Sequence, residues 1–336
     1  MKHILVGGDG FVGRHLAAKL VAMGEEVVVA DIERSDLDIY WSVGAMPVDI
    51  RDDAAVRRLP IGPDDIVYNL AAKMLTPIQL RSRRHAFCWP TNYDGARNLY
   101  SAVRDAGASK IIQFTTDMVY GRTQTSPKTE DHPKVPLGEY GASKLATEGL
   151  ADSFRTDGVD ITILRPRLII GPGRLGILAK LFKLIDRGLP VPMIGSGKQP
   201  YQFVSVFDCA DASVLAWQAG VPNRQYNLGS NNPPSVRELL SMLIGSVGSR
   251  SMLVPTPAWL VKLTLATLDR LNRPILDPEQ YLIADEHCIL DTTRAQTELS
   301  WRPKFDDSDM LIAAYEEYKK GDGQFTAPAR IPLPAE

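Results

Sequence analysis

The sequence has few cysteines, almost no net charge and no long apolar run. Its three cysteines, Cys88, Cys209 and Cys288, lie far apart and fit neither a metal site nor a redox pair, so we expect a reduced, cytoplasmic protein without a metal. A formal net charge of −2 gives no support to nucleic-acid binding. The longest lipid-like stretch, 259–271, is too short and too charged to span a bilayer, so no membrane span is expected.

What the chain does have is a glycine-rich turn near its start, Gly7-Gly8-Asp9-Gly10-Phe11-Val12-Gly13. An apolar run precedes it and apolar residues at helical spacing follow it, so the order predicts a strand, a turn and a helix. Gly7 permits a tight turn, Gly10 lets the backbone approach a diphosphate, and Gly13 lets the helix pack against the strand. The N–H groups at the helix start, around Phe11 and Val12, then face the negative phosphates.

An acidic residue, Asp31, ends the second apolar run, 18 residues after Gly13. There a carboxylate can accept hydrogen bonds from the hydroxyls of an adenosine ribose. A glycine-rich turn that binds nothing is the alternative, but the order of strand, turn, helix, strand and acid favours a dinucleotide site. Asp31 favours NAD because a carboxylate repels a 2′-phosphate, while Arg34 leaves room for NADP.

Apolar runs and helical segments alternate through the first half of the chain. Five or more strands separated by helices predict an α/β fold with a Rossmann-type doubly wound parallel sheet. Ligands bind beyond the carboxyl ends of the strands in such sheets. The glycine turn is predicted to lie there together with Asp31, Ala71, Thr116 and Arg165, which argues for one shared site.

The alternation of strands and helices changes after Leu168. We predict an NAD(P)-binding Rossmann domain over residues 1–168 and a smaller mixed α/β substrate domain over 169–320, with some chain returning to the first sheet. The end, 321–336, is rich in proline and has few apolar anchors, so we expect a flexible tail.

Tyr140 and Lys144 are four residues apart, so on a helix they lie on one face, a turn apart. A lysine ammonium near a phenol favours the phenolate and lowers the pKa of the tyrosine, which suits it to exchange a proton near neutral pH. Thr116, at the predicted end of a neighbouring strand, can hydrogen-bond the same substrate oxygen. Downstream of a dinucleotide turn, these three residues are the candidates for catalysis.

These motifs together resemble the extended short-chain dehydrogenases/reductases of the NAD-dependent epimerase/dehydratase type. The resemblance extends from Gly7 to about Lys319. Its marks are Gly7-x-x-Gly10-x-x-Gly13, Asp31, Asp49-Ile50, Leu70-Ala71-Ala72, Asn92, Thr116 with Val119-Tyr120-Gly121, Tyr140-x-x-x-Lys144, Arg165-Pro166 with Gly171-Pro172-Gly173, Gly195-Ser196-Gly197, Tyr226-Asn227-Leu228-Gly229 and Leu299-Ser300-Trp301.

The resemblance implies an NAD(P)-dependent oxidoreductase or epimerase. Hydride transfer would occur at a secondary alcohol or ketone of a sugar-like substrate, above all a nucleotide sugar. It also implies a homodimer through a four-helix interface, with the helices around 92–106 and 140–157 as candidates. Besides the glycine turn and Asp31, the implied cofactor contacts are Asp49 and Ile50 at the adenine, Leu70, Ala71 and Ala72 at the ribose and diphosphate, Tyr140 and Lys144 at the nicotinamide end, and Arg165.

Two departures from the family pattern concern the substrate. The 4,6-dehydratases carry an acid pair after their active-site threonine, but here Asp117 is followed by Met118, so elimination of water by that route is not expected. Nucleotide-sugar members place an Arg-Asp pair where this chain has Tyr201 and glutamine, and a tyrosine offers no charged fork for a diphosphate. Either another arginine serves or the substrate is not a nucleotide sugar. The predicted substrate contacts are Lys73, Asp117, Met118, Arg167, Arg174 and Tyr201.

Two alternatives to a sugar-converting enzyme therefore stay open. One is a reductase or dehydrogenase for a non-sugar ketone, such as a steroid- or flavonoid-like compound. The other is a dinucleotide-binding module that senses redox state without turnover.

Two further segments allow two interpretations each. Residues 258–271 form an amphipathic helical pattern, which favours a helix facing the core over one that faces a partner or a membrane surface. The basic stretch 81–85 favours a solvated surface over a phosphate site.

Overall fold

The computed structural model describes residues 1–32, 43–173 and 178–320. Arg34, Arg174 and the predicted tail 321–336 lie outside the described residues.

The strands of the described residues form three sheets. In chain order they are β1 Lys2–Val6, β2 Glu26–Asp31, β3 Gly44–Pro47, β4 Ile66–Asn69, β5 Lys110–Phe114, β6 Asp160–Pro166, β7 Leu168–Ile170, β8 Val191–Ile194, β9 Phe203–Ser205, β10 Gln225–Leu228 and β11 Leu253–Thr256.

The largest sheet has seven strands in the order β10-β6-β5-β4-β1-β2-β3, and every neighbouring pair is parallel. This confirms the predicted Rossmann-type doubly wound sheet. The strand order reverses between β1 and β4, and ligands of such sheets bind in the crevice at that point. The glycine turn follows β1 and the Leu70–Ala72 segment follows β4, so both lie at this crevice.

Helices cover the faces of the sheet and fill the second half of the chain. They are α1 Phe11–Ala22, α2 Asp53–Val56, α3 Arg84–Trp89, α4 Gly95–Asp105, α5 Glu139–Thr156, α6 Leu178–Asp186, α7 Val206–Gln218, α8 Val236–Ser246, α9 Ala258–Arg270, α10 Pro278–Tyr281, α11 Thr293–Glu298 and α12 Asp307–Lys320.

Apolar strands explain why the sheet is buried on both faces. Ile4 and Leu5 in β1 and Ile111 and Ile112 in β5 have no exposed surface. Neighbours along a strand point to opposite faces, so unbroken apolar runs need cover on both sides. On one side the cover includes α1 and α7, and on the other α4 and α5.

The helix predicted over 92–106 begins earlier and has a widened turn. α3 and α4 are joined by a π-helical turn, Pro90–Asp94, so the helical path runs from Arg84 to Asp105. Pro90 has no N–H to donate, which interrupts the regular hydrogen-bond ladder at this turn.

The second half of the chain contributes to more than one sheet. β7 pairs with β9 and β8 pairs with β11, and a separate core forms around Phe182, Leu243 and Tyr315. β10 pairs with β6 and so extends the large sheet at its edge. The boundary at 168/169 stays a prediction.

The preferred interpretation of 258–271 as a core-facing helix holds for one side of the helix only. Leu265 and Asp269 of α9 are buried, whereas Leu260, Leu263 and Leu271 are exposed. The leucines occur on both sides of the helix, so the periodic pattern alone did not identify the inner side. Among the described residues, no helix is long and apolar enough to cross a membrane.

The basic stretch 81–85 is only partly a solvated surface. Arg81 and Arg83 are exposed, but Arg84 is buried and forms ion pairs with Asp269 and Asp277. The ion pairs of Arg84 therefore connect α3 with the end of α9 and with the segment before α10.

Candidate active site

The glycine turn is closely packed against the segment after β4. Gly7 has a φ of +78°, and a Cβ there would lie 2.5 Å from the backbone nitrogen of Ala71. A Cβ on Gly13 would lie 2.5 Å from the carbonyl oxygen of Gly8. Side chains at these two positions would therefore displace backbone, which explains why glycine is needed at both.

The start of α1 is arranged to receive an anion. Gly10 is its N-cap in extended conformation, and no side chain caps the helix there. The first turn, from Phe11 through Gly13, then presents backbone N–H groups and the positive end of the helix dipole. The cradle fits the diphosphate of a dinucleotide.

Asp31 lies at the carboxyl end of β2 and is tied to the glycine turn. Its Oδ2 accepts a hydrogen bond from the backbone N–H of Asp9 at 2.9 Å, and its Oδ1 accepts one from Ile32 at 2.8 Å. The carboxylate thus holds the turn that faces the diphosphate while it stands where a ribose would lie.

Asp49 and Ile50, the residues predicted at the adenine, follow β3. Both oxygens of Asp49 accept hydrogen bonds from the Arg51 guanidinium, which lowers the pKa of Asp49. Ile50 is buried, and a Cβ on Gly95 of α4 would lie 2.6 Å from its side chain. The side chain of Ile50 thus packs into the core.

Tyr140 and Lys144 lie in the first turns of α5 and are both buried. Lys144 Nζ donates to the carbonyl oxygen of Phe114, the last residue of β5, at 3.1 Å. Burial lowers the pKa of Lys144 to about 8. The lysine therefore ties the side of α5 that carries Tyr140 and Lys144 to the end of β5.

Thr116 follows β5 by two residues and is buried next to the beginning of α5. Its Oγ1 accepts a hydrogen bond from the backbone N–H of Met118 at 3.2 Å. A Cβ on Gly141 would lie 2.7 Å from the carbonyl oxygen of Met118, so this turn packs directly against α5. The structure thus brings together the chain segments that carry Thr116, Tyr140 and Lys144.

Asn92 connects α5 with the segment after β4. Its Oδ1 accepts a hydrogen bond from the backbone N–H of Lys73 at 2.8 Å. Its Nδ2 donates to the carbonyl oxygen of Lys73 at 3.0 Å and to Ser143 Oγ at 2.9 Å. Ser143 Oγ in turn donates to the carbonyl of Tyr140 at 2.8 Å. A polar chain therefore runs from the predicted ribose segment to the backbone of Tyr140. The ammonium of Lys73 itself lies 5.9 Å from the centre of the Phe87 ring.

Glu279 is a residue of this site that sequence reasoning missed. Its Oε1 accepts a hydrogen bond from the Tyr140 N–H at 2.9 Å, and its Oε2 accepts one from Gly141 at 2.9 Å. The N-cap of α5 is Gly138, which has no side chain to cap the helix, and a Cβ there would lie 2.5 Å from Glu279 Oε1. A helix start without a capping residue was the sequence signal that another acceptor is needed. Burial raises the pKa of Glu279 to about 8.

The predicted substrate residues Asp117, Arg167 and Tyr201 meet in one buried cluster. Arg167 Nη1 donates to Asp117 Oδ2 at 2.9 Å, and the guanidinium lies 5.3 Å from the centre of the Tyr201 ring. Asp117 and Arg167 are 5% and 4% exposed. Gln202, next to Tyr201, instead holds the backbone of Ser230 and Leu290. Arg167 is thus already paired with a carboxylate.

The side chain of Arg165 forms internal hydrogen bonds where the sequence predicts a contact with the cofactor. Its guanidinium is fully buried and forms two hydrogen bonds with Glu148, both at 2.7 Å. It also donates to Tyr120 Oη at 2.9 Å and to the carbonyl of Glu130. Nearly all its donors are used inside the protein, so the side chain joins α5, β6 and the loop after β5.

A small cavity opens beside Tyr140. Its wall is largely apolar, with a few charged groups at the side of α3 and α10. The lining residues are Met74, Leu75, Pro77, Gln79, Arg84, Phe87, Cys88, Glu139, Tyr140 and Asp277. Among the described residues, no group of three or more histidines, cysteines or carboxylates could hold a metal ion.

Residues 3–229 match the model of the NAD-dependent epimerase/dehydratase family. The match covers more than half of the chain, and the chain belongs to this family. The protein is accordingly an NAD-dependent enzyme. The glycine cradle at α1 and the carboxylate of Asp31 are the residues that fit this cofactor.

The relatives of this chain carry names that refer to different reactions. An uncharacterised protein of Sinorhizobium fredii, y4nG, is 30% identical over 320 residues, which is 94% of this chain and 78% of that protein. The UDP-glucose 4-epimerase of Mycolicibacterium smegmatis is 26% identical and covers 90% of this chain and 94% of its own. The 2-alkyl-3-oxoalkanoate reductase of Stenotrophomonas maltophilia is 27% identical and covers 74% of this chain and 76% of its own.

A solved structure with the same fold is that of UDP-glucuronic acid 4-epimerase from Bacillus cereus in complex with NAD. The two chains superpose with a TM-score of 0.74 at 22% identity, covering 95% of this chain and 99% of that one.

Proposed function

We propose that the enzyme transfers a hydride between NAD and a secondary alcohol or ketone, with Tyr140 as the general acid/base. The observation that carries the proposal is the placement of α5. Lys144 of this helix donates a hydrogen bond to the carbonyl of the last residue of β5, and Tyr140, one turn earlier, lines the cavity. Gly141, next to Tyr140, packs against the carbonyl of Met118 in the turn that begins at Thr116. These segments follow the carboxyl end of β5, and the glycine cradle follows the carboxyl end of β1, so both lie at the same end of the parallel strands.

Each residue has a distinct role in this reaction. Tyr140 takes the hydroxyl proton of the alcohol, or gives a proton to the carbonyl oxygen in the reverse direction. Lys144 supports the phenolate electrostatically, and Thr116 holds the reacting oxygen through its hydroxyl. NAD, when bound, supplies the acceptor or donor of the hydride. Gly7, Gly10 and Gly13 with Asp31 would hold it.

A nucleotide sugar is the leading substrate class. The relative from M. smegmatis is named for a UDP-sugar, as is the structural neighbour from B. cereus. If the hydride returns to the opposite face of the same sugar, the net reaction is epimerisation. If the cofactor exchanges between turnovers, the net reaction is an oxidation or a reduction.

A reductase or dehydrogenase for a non-sugar ketone is the second candidate, and the Arg167 cluster favours it. Arg167 is buried, paired with Asp117 and covered by the Tyr201 ring, so it offers a diphosphate little of its charge. The S. maltophilia relative is named as a 2-alkyl-3-oxoalkanoate reductase.

Nucleotide binding separates these two candidates. Thermal unfolding of the NAD-saturated enzyme is measured with UDP, with dTDP and with neither. A rise in Tm with one nucleotide supports the nucleotide sugar. No rise with either, together with oxidation of NADH by alkyl ketones, supports the second candidate.

The variant Tyr140→Phe tests catalysis itself. It should retain NADH binding and lose turnover by roughly a hundredfold or more, because the acid/base proton is lost. Tyr318→Phe, in α12 and away from the cavity, is the matched control. A Tyr140→Phe enzyme with full activity would remove the proposed role.

A further inference from the structure

A buried amide lies in the middle of the large sheet, and the proposed reaction gives it no role. It belongs to Gln113, the penultimate residue of β5, whose side chain has no exposed surface. Gln113 Nε2 donates a hydrogen bond to the carbonyl oxygen of Phe114 at 2.7 Å. The same oxygen accepts the hydrogen bond from Lys144 Nζ at 3.1 Å. A carbonyl oxygen has two lone pairs, so an amide and an ammonium share one acceptor at the end of β5.

The amide of Gln113 is fixed at its other end. Its Oε1 accepts hydrogen bonds from Asn69 Nδ2 and from Tyr100 Oη, both at 2.7 Å. Asn69 is the register partner of Gln113 on β4, Tyr100 belongs to α4, and both side chains are buried. The backbone oxygen of Phe114 can only accept, so the N–H side of the amide faces it. Strand β4 and helix α4 therefore hold the amide in the orientation that occupies this oxygen.

The two hydrogen bonds to the Phe114 oxygen have an unusual order of lengths. Hydrogen bonds from charged donors are ordinarily shorter than those from neutral amides. Here the neutral amide of Gln113 is the nearer donor and the ammonium of Lys144 is the more distant one. Lys144 has three N–H donors, and among the described residues their acceptor is Phe114. The strand end thus holds the ammonium weakly and leaves N–H donors of Lys144 to other groups.

We propose that Gln113 is a positioning residue for Lys144: its amide occupies the Phe114 oxygen and so keeps the ammonium available to Tyr140 and the cofactor. Without the amide, the whole oxygen would be left to the ammonium, which would be drawn toward β5 and stabilised in its charged form. This role rests on the proposed function, in which Lys144 supports the phenolate of Tyr140. The shared oxygen can be tested without substrate.

The other titratable groups around Lys144 stay in place when Gln113 is changed. Burial lowers the pKa of Lys144 to about 8, and the charge of Cys88 on α3 acts on it in the opposite direction. On α5, Tyr140 and Glu148 lie one turn before and one turn after the lysine. Because Gln113 is uncharged, its replacement alters hydrogen bonding at the Phe114 oxygen and leaves these groups as they are.

Urea denaturation of the ligand-free protein at several pH values tests this role. Gln113→Met keeps the size of the side chain and removes the amide. Each protein is compared with its own Lys144→Met version, so that the other titrating groups cancel. In the unchanged protein the stability that depends on Lys144 should begin to rise near pH 8, where the folded state loses the proton before the unfolded state does. In Gln113→Met this rise should begin roughly one pH unit higher, because a stronger hydrogen bond favours the ammonium.

Tyr100→Phe is the matched control. It removes a donor to Gln113 Oε1 and leaves Nε2 on the Phe114 oxygen, so stability should fall while the pH of the rise stays the same. If Gln113→Met alone does not fold, Gln113→Met with Tyr100→Phe leaves one buried donor fewer without a partner and should show the same upward move. Fluorescence titration with NADH should give roughly threefold to tenfold weaker binding in Gln113→Met and unchanged binding in Tyr100→Phe.

The outcomes separate this role from the proposed reaction. A rise that begins at the same or a lower pH in Gln113→Met would overturn the role of the amide, as would the same upward move in Tyr100→Phe. Unchanged NADH affinity in Gln113→Met would overturn the availability of the ammonium to the cofactor. If the rise moves as expected but Tyr140→Phe retains full activity, the proposed reaction fails while the effect of Gln113 on Lys144 stands.

Discussion

The backbone N–H of Tyr140 donates a hydrogen bond to Glu279 Oε1 at 2.9 Å, although the two residues are 139 positions apart. The same carboxyl group receives the N–H of Gly141 and fills the space left open by Gly138. A late part of the chain therefore supplies the cap of the helix that carries the proposed acid/base. Glu279 is a positioning residue, since it acts on the backbone of Tyr140 and not on the phenol.

Removing this cap should slow the chemical step. We expect Glu279→Ala to lower kcat by roughly tenfold, because two N–H groups at the start of α5 lose their buried acceptor and the helix start moves. Glu279→Gln keeps one amide oxygen as an acceptor and should recover most of kcat. Steady-state kinetics gives kcat and KM, and titration with NADH gives the cofactor affinity. If both variants lose kcat equally, or if only stability changes, the positioning role is wrong.

The buried Lys144 should make stability depend on pH in a defined direction. Its pKa is about 8 in the folded protein and lies near 10.4 in an unfolded chain. The folded state therefore loses the proton first, so the unfolded state binds more protons between these values and stability rises with pH. Below pH 8 both states carry the charge, and the cost of burying it is fully present.

Lys144→Met should remove this dependence. The free energy of unfolding of the variant minus that of the unchanged protein should fall by roughly 3 kcal/mol between pH 7 and pH 10.5. Urea denaturation of the ligand-free proteins at four pH values measures the difference. Lys183→Met, at an exposed position of α6, serves as the control and should give a constant difference. A constant difference for Lys144→Met as well would contradict the shifted pKa.

Asp31 should control the choice of cofactor. Asp31→Ser removes the carboxylate that repels a 2′-phosphate, and the ratio of Kd values should move toward NADPH by roughly tenfold. Affinity for NADH should also fall, because the Asp9 N–H loses its acceptor. Fluorescence titration with both reduced cofactors provides the numbers. Asp49→Ser removes a carboxylate that is engaged by Arg51 and should leave the ratio unchanged. The same ratio in Asp31→Ser and the unchanged protein would refute this assignment.

Arg165 and Glu148 should contribute to stability as a pair. Arg165→Met or Glu148→Met alone leaves the charge of its partner buried, and each should cost roughly 3–5 kcal/mol. The double variant Arg165→Met with Glu148→Met should cost less than the sum of the single changes, because neither member of the buried pair is left without the other. Denaturation curves of the three variants measure the coupling. Strict additivity would show that the pair does not act as a unit. Should a single variant fail to fold, recovery of folding in the double variant would show the same coupling.

Short-range patterns allowed much of the fold to be predicted from the sequence. The glycine turn, the alternation of strands and helices and the spacing of Tyr140 and Lys144 each involve residues close together in the chain. Ser235 and Glu238, three residues apart, likewise form a capping box at the start of α8.

What the sequence did not predict depends on distant partners. The basic stretch around Arg84 predicts a solvated surface, but in the structure Arg84 is buried and forms ion pairs with Asp269 and Asp277. The position of Arg165 at a strand end predicts a cofactor contact, whereas its guanidinium in the structure pairs with Glu148 on α5. The inner side of α9 could not be identified because leucines occur on both sides of the helix, and the partners of the buried side, such as Arg84 for Asp269, are distant in the chain.

The pairing of β10 with β6 has a consequence for the order of events during synthesis. β6 ends at Pro166, but its outer edge stays unpaired until residues 225–228 have left the ribosome. During that interval the growing chain presents an open parallel edge, which is a template for pairing with other chains. The seven-stranded sheet is therefore complete only after much of the later sequence has been made, and a fragment that stops at residue 168 should associate or aggregate rather than remain a folded monomer.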